Sequence, residues 1–167
     1  MSPRELFFYA DAVVAVMTAL MVILHRNPVV CAVSLVLHLC CVAVFFLLLD
    51  ATFLFAVQII LYAGAIMVLF LFVIMLLDPV GEGVAGRAGK IQMGSAIALA
   101  FILLLAVARL ASNVSPAPPR PLPPGFGRIE SIGRLLFSDY LLPFEVASVL
   151  LLVAMIGALY MGKKELD

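Results

Sequence analysis

The chain has 167 residues, 66% of them hydrophobic and 12% charged, and its ten basic and ten acidic side chains cancel. Mean hydropathy is +1.27, whereas a water-soluble domain carries about 45–50% apolar and about 25% charged residues. Such a chain has too little polar surface for a soluble enzyme or a disordered tail, and no basic excess for binding nucleic acid. What remains is an all-α polytopic membrane protein.

A bilayer core is about 30 Å thick, so a spanning helix needs about 20 mostly apolar residues. Five runs qualify: residues 6–24, 28–49, 53–77, 91–112 and 141–160. They are read as one membrane domain covering residues 1–167. The first run is too long for a typical signal core and lacks a small-residue cleavage site before His25, so it reads as a retained helix. His25-Arg26-Asn27-Pro28 is a tight polar turn, with Pro28 in the first turn of the next helix, where its missing N–H does no harm. Asp50-Ala51-Thr52 is a second minimal turn, with Asp50 expected to cap the third helix. Residues 78–90 form a Gly-rich charged loop.

The fourth connection, residues 113–140, is long and Pro-rich, and belongs outside the hydrocarbon. Within it Ile129, Ile132, Leu135 and Leu136 recur at helical spacing, which predicts a short helix at the membrane surface or on a partner. No 20–50-residue repeat supports an inverted-repeat transporter. Arg26, Arg87, Lys90, Lys163 and Lys164 fall on the C-terminal side. Arg4, Arg120, Arg128 and Arg134 fall opposite, with Arg109 able to snorkel there. The shortest segments favour a cytoplasmic C-terminus.

No phosphate loop, HExxH, CxxC or Ser/His/Asp set is present. Cys31, Cys40 and Cys41 lie in one apolar run and read as packing residues. With two histidines and no Trp, the chain offers little to hold haem or an iron–sulfur cluster. The informative run is the third. At 25 residues it would be about 37 Å long as an α-helix, more than the core requires. Tilt or a local distortion should absorb the excess. Near its middle lie Tyr62, Ala63, Gly64 and Ala65. Gln58 and Tyr62, four apart, share a helical face and need polar partners inside the bilayer. Two readings stay open on these residues: a small-residue packing seam with a hydrogen-bonded Tyr62, or a helix that switches between α and π geometry.

The run Gln58-Ile59-Ile60-Leu61-Tyr62-Ala63-Gly64-Ala65-Ile66-Met67-Val68-Leu69-Phe70, continuing to Leu77, resembles the third helix of chain J of bacterial NADH:quinone oxidoreductase. That enzyme is respiratory complex I, and the mitochondrial counterpart of the chain is subunit 6. The stretch from Ile129-Glu130-Ser131-Ile132-Gly133-Arg134 through Pro143-Phe144-Glu145-Val146-Ala147-Ser148 to Leu152 is a second match. The likeness covers all five helices in order. It implies a membrane-arm subunit of a proton-pumping complex in the cell inner (plasma) membrane. It also implies a π-bulge beside Tyr62, with Tyr62, Ala63 and Gly64 forming a gate that couples quinone reduction to proton movement. NADH, FMN, iron–sulfur clusters and quinone then belong to the complex rather than to this chain. The partners implied are other membrane-arm and quinone-module subunits and membrane lipid.

Ionisable residues in membrane segments are costly and therefore functional candidates. Glu145 and Asp11 lie near helix ends on one side and read either as interfacial carboxylates or as proton-path or partner contacts; the polar Gln58 is a further candidate for such a contact. His38, near the centre of the second helix, reads as a neutral ring hydrogen-bonded within the bundle or as a proton relay. It is not part of the family pattern. Two other functional classes compete: a subunit of a multi-chain cation/proton antiporter, and a free-standing channel. The channel lacks enough deep polar residues.

Overall fold

A computed structural model of the chain describes residues 2–77, 90–113 and 121–163. The Gly-rich loop with Arg87, most of the Pro-rich stretch with Arg120, and Lys164 lie outside them. The described residues are helical, without strands, and five of the helices are long and apolar enough to cross a membrane. They are α1 (Pro3–Leu24), α2 (Pro28–Leu48), α3 (Thr52–Leu76), α4 (Lys90–Asn113) and α6 (Leu141–Gly162); the short α5 (Ile129–Leu136) lies where the surface helix was expected. The chain divides into two units, Met1–Phe72 with Pro123–Asp167, and Val73–Leu122.

Helix α1 begins earlier than the hydropathy edge at Leu6 suggests, because Ser2-Pro3-Arg4-Glu5 is a capping box. The Ser2 hydroxyl accepts from the Glu5 N–H and the Glu5 carboxylate accepts from the Ser2 N–H. The α1–α2 turn closes on itself. Asn27 Oδ1 accepts from the Val29 and Val30 N–H groups, and the Asn27 N–H donates to His25 Nδ1.

Helices α1 and α2 pack antiparallel, matching residues every three to four positions. Arg4 pairs with Asp50, Phe8 with Phe45, Asp11 lies against Cys41, and Ala15 meets His38. The buried side chains of this pair are small: Ala15 and Thr18 of α1, and Ala32, Ser34, Cys41 and Ala43 of α2, which packs on both α1 and α3. Small residues let backbones approach closely where lipid removes any hydrophobic drive between helices. The first half of α3 packs on α2, and buries Gln58 and Met67.

Asp50 does not cap α3, as expected from its place in the turn. It adopts a left-handed backbone (φ 60°) just past the end of α2. The Ala51 N–H donates back to the Phe46 carbonyl and the Asp50 N–H to that of Leu47, the double closure of a Schellman motif. The Asp50 carboxylate is turned to Arg4, 2.8 Å away.

Candidate functional site

Helix α3 is α-helical over Thr52–Val57, π-helical over Gln58–Ile66 and α-helical again over Met67–Leu76. The wider ladder is visible at its end, where the Met67 N–H donates to the Tyr62 carbonyl five residues back. π-Turns are rare and occur at functional sites more often than chance. Gly64 sits inside this stretch. A Cβ built there would lie 3.2 Å from the oxygen of Ile59, the carbonyl five residues back in the ladder, a tight contact that asks for a shift of a few tenths of an ångström. The distortion expected in an over-long span is thus present, and it lies at Tyr62, Ala63 and Gly64.

The two polar residues of this stretch do not end up alike. Gln58 is 8% exposed, inside the packed half of the chain. Tyr62 is 48% exposed. The i→i+4 stacking assumed for them belongs to an α ladder, and here the ladder is i→i+5. Among the described residues the Tyr62 hydroxyl has no hydrogen-bond partner. In hydrocarbon a phenol needs one.

The ionisable candidates are partly brought together. His38 Nδ1–H donates to the Ala15 carbonyl at 3.0 Å, a hydrogen bond from α2 to α1. The same carbonyl accepts from the Thr18 hydroxyl at 2.9 Å. About one turn further along the α1–α2 seam lies Asp11, facing Cys41, with one carboxylate oxygen buried and unpartnered among the described residues. Asp11 therefore turns into the helix pair and not toward the aqueous edge. Glu145 is exposed on α6, where its backbone carbonyl accepts from the Ser148 hydroxyl. No grouping of three His, Cys, Asp or Glu side chains able to hold a metal occurs among the described residues. The two histidines and three cysteines are not gathered as a redox-metal centre would require.

One contact was not foreseen from the sequence. The first turn of α3 has no side-chain cap of its own. The Gly127 carbonyl supplies one, accepting from the Phe53 N–H at 2.9 Å and from the Thr52 hydroxyl at 3.2 Å. The signal lay in Gly125-Phe126-Gly127, two glycines flanking one residue just before α5. Both adopt positive φ.

Five apolar spans with a π-helical turn in the third define a polytopic membrane protein. Comparison with known proteins makes this specific. Residues 18–161 match the family NADH-ubiquinone/plastoquinone oxidoreductase chain 6, and the chain belongs to that family. It is 41% identical to the NAD(P)H-quinone oxidoreductase subunit 6 of the Paulinella chromatophora chromatophore, covering 95% of this chain and 78% of the relative. It is 38% identical to NADH-quinone oxidoreductase subunit J of Pseudomonas aeruginosa, over 96% and 98% of the two chains. It is also 35% identical to F(420)H(2) dehydrogenase subunit J of Methanosarcina mazei, over 92% and 88%. The chain is therefore a multi-pass membrane subunit of an NADH:quinone oxidoreductase, as the resemblance in the third helix implied.

Proposed function

We propose that this chain couples quinone reduction to proton translocation by changing the winding of α3, and that it holds no redox centre of its own. The observation that carries the reading is the π-helical stretch Gln58–Ile66, with Gly64 inside it, 3.2 Å from the Ile59 carbonyl oxygen at its Cβ position. Rewinding such a stretch to α geometry by one residue turns everything beyond it by about 100° and shifts it by about 1.5 Å. Met67, 5% exposed and immediately after the stretch, would leave its seat. Tyr62 would move relative to whatever partner completes its hydrogen bonding.

In this reading Tyr62, Ala63 and Gly64 form the gate. Gln58, His38, Asp11 and Glu145 are the polar groups that meet the proton path or the partner subunits. NADH, FMN, iron–sulfur clusters and quinone are handled by those partners. Relatives named for different electron donors, NADH and F(420)H(2), carry the same kind of chain. This supports placing its role in the shared membrane step and not in donor oxidation. The location that follows is the cell inner (plasma) membrane, with the C-terminus cytoplasmic.

Gly64→Val tests the gate. A β-branched side chain at the Ile59 carbonyl disfavours the π form. The expected result is assembled complex with proton pumping in membrane vesicles reduced by at least about tenfold, equivalent to about 1.4 kcal/mol of bias. Wild-type pumping from fully assembled complex would refute it.

A further inference from the structure

We propose that the Gly127 carbonyl is the N-cap of α3 and that Gly127 and Thr52 are positioning residues for the change of winding; this rests on the gating reading above. A helix start leaves four N–H groups without partners inside the helix. In α3 the residue at the cap position is Ala51, whose side chain cannot accept. The acceptor comes from 75 residues away, where the Gly127 oxygen takes both the Thr52 hydroxyl and the Phe53 N–H.

The approach is close enough to be exclusive. A Cβ on Gly127 would lie 2.2 Å from the Asp50 carbonyl oxygen and 2.7 Å from the Ala51 Cα, and the residue has φ +71°. Only glycine combines that backbone with that contact. The strap carrying it is itself braced. The Phe126 N–H donates to the Pro123 carbonyl, the Arg128 N–H to the Gly125 carbonyl, and the Ser131 hydroxyl of α5 to the Gly125 and Arg128 carbonyls. On the other side of the contact, Asp50 is held by Arg4 of α1. The start of α3 is thus gripped between the α1–α2 hairpin and the strap leading into α5.

A rewinding segment produces rotation only relative to an end that stays still. With Thr52 and Phe53 gripped and Gln58 buried, the rotation arising in Gln58–Ile66 is delivered beyond Ile66. In this arrangement Gly127 and Thr52 act through the register of α3.

The test uses the assembled complex in vesicles, measuring protons moved per electron for Thr52→Val, Thr52→Ser, Gly127→Ala and Gly64→Val. Removing one capping donor in Thr52→Val is expected to lower the ratio about twofold, with complex content unchanged and hydrogen exchange in residues 52–57 accelerated about fivefold. Thr52→Ser keeps the hydroxyl and should restore both. Gly127→Ala should act in the same direction and more strongly; if it prevents accumulation, the Thr52 pair decides. A wild-type ratio in Thr52→Val overturns the positioning role. If Gly64→Val is impaired in that case, the gate survives and only the clamp is lost. An impaired Thr52→Val rescued by Thr52→Ser, beside a normal Gly64→Val, would refute the gate and with it the role in winding, leaving the Gly127 contact a structural cap.

Discussion

Helices α2 and α6 are 21 and 22 residues long and similarly apolar, yet they are used in opposite ways. Four side chains of α2 are buried, and all are small: Ala32, Ser34, Cys41 and Ala43. Not one side chain of α6 is buried. Apolarity only makes a helix compatible with lipid. What makes it an internal contact surface is a row of small residues facing another row, as Ala15 and Thr18 of α1 face α2. An apolar helix with a whole surface uncovered is left for lipid or another subunit. The first unit is therefore a small packed hairpin with the start of α3 against it, and its α6 presents an uncovered apolar surface.

The strongest way to break this contrast is Ala43→Leu. Ala43 is 0% exposed, and forcing a larger side chain into a packed seam costs about 1–3 kcal/mol. The chain should fail to accumulate in membranes at normal temperature, as read by immunoblot. Normal levels would mean that the α2 seam is not the organising contact.

The counterpart in α6 is Gly157→Leu. Among the described residues, a Cβ there meets nothing within 4 Å beyond its own helix. The variant chain should accumulate normally while co-purifying less of the partner subunits, because the neighbouring Ala154 and Ala158 offer the same close approach to a helix from outside. Unchanged co-purification would assign that face to lipid.

The smallest effect is expected at His38, the one titratable ring on the packed helix. His38→Asn removes the hydrogen bond to the Ala15 carbonyl, worth about 1 kcal/mol. It should lower thermal stability slightly and leave proton pumping unchanged. A large loss of pumping would make His38 a relay and draw Asp11, about one turn away along the same seam, into the path with it.

Much of this was legible in the residues. Uninterrupted apolar runs placed the five spans, and the isoleucine and leucine spacing placed α5, because burial from water is a local property of composition. The excess length of the third run, with Gly64 in its middle, pointed to a distortion there. Its identity as a π-turn came from the family likeness, since α and π windings of one sequence differ in hydrogen bonding that no periodicity records. The start of α1 was readable in Ser2-Pro3-Arg4-Glu5 but was masked by the hydropathy edge. Asp50 was misread for a different reason. The same residue types favour a helix start and a left-handed helix stop, and only the position of the next chain segment decides between them. The Gly127 contact was not legible at all, because it joins residues 75 apart through a backbone atom that every amino acid possesses.

That separation also sets a timetable for biogenesis. Ribosomes add about 5–20 residues per second, so about 4–15 s pass between synthesis of Thr52 and arrival of Gly127. The α1–α2 hairpin, whose turn is closed by residues within a few positions of one another, matures within that interval. The third span enters the membrane with its leading amides still uncapped and receives its final anchor only as the last span is being made. A truncated or stalled chain lacking the strap would thus be left with a loose third helix, a recognisable mark for quality-control proteases before the chain joins its complex.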